Sequence, residues 1–321
     1  MSRKKRLLAY AATVVASLAG YAYHALYQED RSVKSRLLED FYRLKDRLKN
    51  ADEADYRHFL EDQLKTARQG DLSYPKKHGM NISLSSYQNG KAYVLSPENS
   101  RPDKLVVYFH GGHRIEAISP KEWRFLENFA EDNKLRLLIP YIEPLSYAYF
   151  DEEVDRLEAL LDEISLDYTD EDLYLMASDT GALFALPIAR DSSSDLILEG
   201  LILLSPWVTT KHSITSSQDE EQKDYLMTFS DYQAIASLWQ ASEGRIIALD
   251  ADQAGALPKV HLFMGKKDVQ YLEVLAFYRK LKQKGLAVDF YAFDYLTHNF
   301  HFLTIPEQDE VIDLIAKVVL P

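Results

Sequence analysis

Asp172-Leu-Tyr-Leu-Met-Ala-Ser-Asp-Thr-Gly-Ala-Leu-Phe-Ala-Leu-Pro-Ile-Ala189 carries the reading of the whole chain. An apolar run leads into the short corner Ala177-Ser178-Asp179-Thr180-Gly181, and a small-residue helical pattern follows. That is the layout of a strand, a sharp turn and a helix. In the corner pattern Gly-x-Ser-x-Gly, small outer residues let strand and helix approach closely while the middle side chain is thrust outward. Aligned on Gly181, the first small residue is Ala177 and the middle position is Asp179. A carboxylate stands where a serine is expected.

Working outward, strands alternate with helices on both sides of this corner. Ile82–Tyr87, then Asn89-Gly90, then Lys91–Leu95 reads as a hairpin, because Asn-Gly supplies the positive φ angles that a tight turn needs. Lys104–Phe109 is β-branched and aromatic, suited to a buried central strand, and ends in His110-Gly111-Gly112-His113. Helical periods cover 122–132, 152–164, 272–284 and 310–319, and strand-like runs cover 135–139, 198–204, 260–264 and 288–293. This alternation predicts an α/β fold with right-handed crossovers and a mostly parallel sheet covered on both faces. Residues 208–257 break the rhythm and read as an insertion lying over the strand ends.

Four local motifs in this order resemble the α/β-hydrolase superfamily, in its hormone-sensitive-lipase-like esterase branch. His110-Gly111-Gly112-His113 resembles the oxyanion loop and 177–181 the nucleophile elbow. Gly265-Lys266-Lys267-Asp268 resembles the loop of the triad acid, and His298-Asn299-Phe300-His301 the segment of the triad histidine. The resemblance runs from about residue 91 to the C-terminus. It implies a triad-like set Asp179, Asp268 and His298, and an oxyanion hole from the backbone N–H groups of Gly111, Gly112 and Thr180. His113 replaces a third glycine and either narrows the pocket or supplies another donor; His110 and Ser178 are accessory candidates. A small-molecule substrate is implied, an apolar one from the aromatic content of two lid candidates, residues 37–69 and 213–240.

Asp179 departs from that family. Attack of a carboxylate on an ester carbonyl gives an anhydride that is uphill from the ester, whereas a carboxylate suits displacement at saturated carbon, as in epoxide hydrolases and haloalkane dehalogenases on the same fold. Those enzymes usually carry Trp after the Asp, and here Thr180 stands there. Three uses of the site stay open: a hydrolase using Asp179 as nucleophile or as base for water, a non-catalytic binding or scaffolding protein, and a register in which Ser178 comes forward. Ser178 and Asp179 acting as helix caps is compatible with each. If Asp179 and Asp268 both neighbour His298, the histidine rests as an imidazolium.

Composition narrows the rest. With 37 Lys and Arg against 50 Asp and Glu, the net charge is −13, which disfavours a nucleic-acid partner. The absence of cysteine removes disulfides and thiolate chemistry. No phosphate loop or metal-ligand spacing stands out, so no cofactor is expected. At the N-terminus, Arg3-Lys-Lys-Arg6 precedes an uncharged run of 21 residues, Leu7–Tyr27, with Tyr21, Tyr23 and Tyr27 placed for the outer interface. It predicts a membrane anchor over residues 1–28 with the remainder on the extracytoplasmic side, or a signal peptide cleaved after Ala19 and a secreted chain. Residues 29–79 read as an amphipathic helix pair, with Leu37, Phe41, Leu44 and Leu48 in the first helix and Tyr56, Phe59, Leu60 and Leu64 in the second. That pair is either a stalk or part of a cap, over residues 37–69 together with 213–240, above an 80–321 hydrolase domain.

Overall fold

Strands β1 (Asn81–Tyr87), β2 (Gly90–Ser96), β3 (Lys104–Phe109), β4 (Arg136–Pro140), β5 (Asp172–Ser178), β6 (Leu198–Leu204), β7 (Val260–Gly265) and β8 (Val288–Phe293) form one sheet. Its order is β1-β2-β4-β3-β5-β6-β7-β8, antiparallel at β1/β2 and β2/β4 and parallel from there on. The structure is a computed structural model describing residues 3–48, 53–66, 80–101, 103–191, 197–209, 224–243 and 257–321. Its helices are α1 (Arg3–Tyr23), α2 (Val33–Leu48), α3 (Glu53–Thr66), α4 (Pro120–Asn133), α5 (Phe150–Asp167), α6 (Ala182–Asp191), α7 (Phe229–Glu243), α8 (Tyr271–Gln283) and α9 (Pro306–Val319).

The central strands are apolar throughout because both faces are covered. Along β3 the side chains alternate between two cores. Leu105, Val107 and Phe109 join the layer of α5, α6 and α8, while Val106 and Tyr108 join that of α4 and α9. Phe109 pairs in register with Ala177, so the ends of β3 and β5 lie side by side and bring the His110–His113 loop to the corner at Asp179. The predicted α/β architecture, the hairpin and the helices flanking the corner all form.

Two expectations meet a different structure, and a third falls partly outside the described residues. No helix among the described residues is long and apolar enough to cross a membrane. Helix α1 includes the basic cluster and is followed by a π-helical turn, His24–Gln28. Tyr21, placed by the sequence at a lipid interface, instead donates its hydroxyl to Asp40 of α2 at 2.6 Å, under the Arg36 guanidinium. Secondly, the helix pair splits. Helix α3 packs on α7, with Leu60 buried in the same core as Trp239. Helix α2 docks beside the 266–268 loop through Glu39, and Leu37, Phe41 and Leu44 face solvent at 55%, 59% and 57% exposure. Its polar Ser35 and Glu39 are the buried residues because cationic partners wait for the carboxylate. Thirdly, of the 208–257 insertion, α7 is described; residues 210–223 and 244–256, including the acidic stretch from Ser213, lie outside the described residues.

Candidate active site

The corner after β5 turns as sharply as its sequence requires. Asp179 has φ +50°, a left-handed conformation that costs a non-glycine residue about 1–2 kcal/mol. A Cβ on Gly181 would sit 2.2 Å from the Phe109 carbonyl oxygen, so only glycine lets α6 start this close to β3. The Asp179 carbonyl accepts from the Trp207 N–H at 3.0 Å, tying the corner to the loop after β6.

The three residues assigned to a triad meet. His298 Nδ1 lies 2.9 Å from Asp268 Oδ2, and its Nε2 lies 3.6 Å from Asp179 Oδ1. Asp268 Oδ1 accepts from the Gln270 N–H at 2.9 Å. All three side chains are buried, at 2%, 4% and 3% exposure for Asp179, Asp268 and His298. Burial alone would lower the His298 pKa, but the charges of Asp268 and Asp179 reverse this and raise it well above the usual value. Burial likewise opposes ionisation of Asp179, and His113 and His298 outweigh it, so its carboxyl lies below the usual range. The Asn299 amide lies 2.9 Å from His298 Nε2 and its oxygen has no partner. Turned the other way, that oxygen accepts the Nε2–H of an imidazolium.

The loop after β3 supplies donors differently from the expected scheme. The Gly112 N–H donates to Asp179 Oδ2 at 3.4 Å, as an oxyanion donor should. The Gly111 N–H points away, to Glu122 Oε1 at 3.4 Å, because a buried carboxylate lies behind the loop. The His113 N–H donates to Thr180 Oγ1 at 2.9 Å, so the described role of Thr180 here is that of an acceptor through its hydroxyl. The ring of His113 turns to the site, with Nδ1 3.3 Å from Asp179 Oδ2. His110 is buried with Nδ1 2.7 Å from the Gly111 oxygen, and burial pulls its pKa down to about 4, so it is neutral.

The sequence matches the alpha/beta hydrolase fold family over residues 106–302. The chain belongs to this alpha/beta hydrolase fold family. Among solved structures it is similar to a hormone-sensitive lipase from a metagenome library, at 16% identity and TM-score 0.68 over 84% of this chain and 99% of that one. It is similar to a thermostable esterase from Pseudomonas putida, at 17% identity and TM-score 0.65 over 84% and 88%. A third is the Francisella virulence factor BioJ, at 15% identity and TM-score 0.62 over 84% and 93%. At these identities the likeness is one of fold. No curated protein matches the sequence.

In this chain Ser178 faces away from the corner. It is fully buried, its Oγ lies 2.6 Å from the Tyr108 hydroxyl, and it donates to Glu122 Oε1 at 3.2 Å. Tyr108 donates to the same oxygen at 2.7 Å, and burial raises the Glu122 carboxyl to about 7. Bringing Ser178 forward would reverse the register of β5 against β3 and β6. Ser178 also makes no capping bond to the helix, since its hydroxyl is committed to this cluster.

Sequence reasoning missed Glu122 and Asp224 as site residues, and did not place Trp207 beside the site. Ser119-Pro-Lys-Glu122 reads as a helix start, and Ser119 does accept from the Glu122 N–H at 3.2 Å. Asp224 accepts the His298 N–H at 2.7 Å, and burial followed by the charge of Asp268 raises its carboxyl to about 7. Nothing separated it from the acidic stretch before it. Trp207, tilted at 32° to Tyr232 with ring centroids 4.4 Å apart, lies 5.8 Å from the His113 ring, and Trp239 donates its indole N–H to the His113 carbonyl at 2.8 Å. Among the described residues no group of three or more His, Asp or Glu is arranged to hold a metal ion.

Proposed function

We propose that this protein is a hydrolase of small apolar substrates in which Asp179 is a carboxylate nucleophile toward saturated carbon. One observation carries the reading: Oδ2 of Asp179 is turned into the oxyanion cradle at Gly112, while Oδ1, buried and without a hydrogen bond, faces His298. A buried carboxylate oxygen that makes no hydrogen bond within the protein is a stronger nucleophile than one held by donors. Attack of Oδ1 on an alkyl halide or epoxide carbon forms a carbon–oxygen bond and breaks the bond to halide or ring oxygen, leaving an alkyl ester on Asp179. Esterification removes one of the two charges that hold His298 protonated, which lowers its pKa. Its Nε2 proton passes to the alkoxide of the opened epoxide, or to solvent when halide leaves, and the neutral ring is then a base. His298, oriented by Asp268, then takes a proton from water as that water attacks the ester carbon. The leaving alkoxide takes Oδ1 with it and the proton from His298, and the water oxygen completes the carboxyl, whose proton returns to His298 to restore the resting carboxylate and imidazolium. The wall of Trp207, Tyr232 and Trp239 supports an apolar substrate.

Direct ester cleavage is poorly served by this arrangement, because the Gly112 donor already holds the chain's own carboxylate. The test is incubation of the protein with styrene oxide and with bromobutane, followed by mass spectrometry. The expected result is alcohol product and an alkyl ester on Asp179, both lost in Asp179→Asn. Turnover in Asp179→Asn would overturn the proposal. A second reading, a non-catalytic binding site, draws on the near-complete burial of Asp179, Asp268 and His298; absence of both adduct and product with either reagent would favour it.

A further inference from the structure

We infer that the imidazole of His113 is an oxyanion donor, a side chain standing in for a backbone N–H. The inference rests on the reading of Asp179 as nucleophile. In loops of this kind, successive N–H groups point at the developing negative charge. Here the His113 N–H is diverted to Thr180 Oγ1, which leaves Gly112 as the described backbone donor to Asp179 Oδ2.

The ring of the same residue fills the gap. His113 adopts φ +61°, and the next residue, Arg114, adopts +58°, two left-handed positions in succession that are unfavourable for side-chain-bearing residues. The turn they make delivers Nδ1 to 3.3 Å from Oδ2. That nitrogen is buried and forms no hydrogen bond in the resting site, an unusual state for a ring that is 5% exposed. The ring is held from outside: Trp207 lies 5.8 Å away, and the His113 carbonyl accepts the Trp239 indole N–H. The Arg114 guanidinium lies over Trp239 and Phe184 and donates to the carbonyls of Glu143 and Ala148.

These contacts place a donor where charge develops late in the reaction. During alkylation, Oδ2 loses negative charge as Oδ1 forms its bond. When water attacks the alkyl ester, Oδ2 becomes the oxyanion of the tetrahedral intermediate, and a short bond from His113 Nδ1–H then stabilises it beside Gly112. No proton need be transferred to Oδ2. The charge returns to the carboxylate as the alcohol leaves.

The experiment follows the covalent adduct by rapid quench and intact-protein mass spectrometry, using the full chain with styrene oxide. In His113→Phe the adduct on Asp179 is expected to form and persist, its lifetime lengthened about a hundredfold, in line with loss of one oxyanion donor. His113→Asn, which keeps a side-chain N–H, is expected to recover part of the rate. Clearance of the adduct by His113→Phe at the wild-type rate would overturn the inference while leaving Asp179 as nucleophile. Absence of any adduct in the wild type would overturn both.

Discussion

The main-chain N–H of Gly112 donates to Oδ2 of Asp179, so the cradle that serves a substrate oxyanion in an ester-cleaving site is occupied by the chain itself. Gly111 is part of the same fit, since a Cβ there would lie 2.8 Å from Oδ2. Replacement of Asp179 by serine removes that oxygen and leaves a hydroxyl beside His298. Asp179→Ser is therefore expected to gain hydrolysis of p-nitrophenyl acetate by about a hundredfold over the wild type, roughly the worth of one oxyanion donor. The gain should vanish in Asp179→Ser combined with His298→Ala, as read from nitrophenolate release. Equal rates in the single and double variants would show that the triad geometry plays no part.

His298 is expected to rest as an imidazolium. Its pKa is raised in the folded state, because Asp268 and then Asp179 overcome the lowering due to burial. Stability from this group is fully present below the unfolded value of about 6.5 and is lost as pH rises through the folded value. Asp179 has the opposite sign. Its folded pKa is depressed, so its contribution is present above about 3.9 and is lost as pH falls through the folded value. An NMR titration should place His298 well above 6.5 and show the value falling in Asp179→Asn. A wild-type value at or below about 6.5 would contradict the ion-pair description.

Much of this site was legible because its parts depend on backbone constraints that leave marks in sequence. Gly181 marks a close approach, His110-Gly111-Gly112 marks a loop that must run beside the corner, and Asp268 and His298 each follow a parallel strand whose end the fold aligns. What was not legible depends on side-chain direction. The Gly111 N–H turns to Glu122 and the His113 N–H to Thr180 because acceptors from other parts of the chain are present, and neither acceptor is local to the loop. Helix α2 illustrates the same limit. Its apolar positions predict the buried face, yet Glu39 is the buried side chain, because Arg31 and Lys267 lie opposite it.

Glu122 gives a second pH prediction. Burial raises its carboxyl from 4.5 to about 7, although the bonds from Tyr108, Gly111 and Ser178 oppose the rise. The folded state therefore holds this proton more tightly than the unfolded chain does. The associated stability is fully present below about 4.5 and is lost as pH rises to about 7, on the order of 3 kcal/mol in total. Glu122→Gln keeps an acceptor for Tyr108 and removes the titration. Its unfolding free energy, measured in urea at several pH values, is expected to fall less steeply across that window than that of the wild type. Asp224, also raised to about 7, supplies a remaining slope. Parallel pH curves for wild type and variant would show that Glu122 does not titrate there.

The clamp of α2 on the 266–268 loop can be separated from ordinary surface effects. Glu39 accepts from Lys267 Nζ at 2.6 Å and pairs with Arg31, with all three side chains nearly buried. Both cations also lie over the Tyr295 ring, at 5.1 Å for Arg31 and 5.3 Å for Lys267. Glu39→Ala leaves buried Lys267 without its counter-charge, while Arg31 keeps Glu29 at 2.8 Å, and breaking a buried pair costs about 3–5 kcal/mol. Leu37→Ser on the exposed face of the same helix is expected to cost less than about 0.5 kcal/mol. Urea unfolding of the two variants checks the contrast. Because Lys267 precedes Asp268, Glu39→Ala should also weaken the hold of Asp268 on His298, seen as a downfield Nδ1–H resonance that broadens relative to wild type. If Leu37→Ser proved the more damaging change, α2 would be docked through its apolar stripe, and the ion-pair clamp would be incidental.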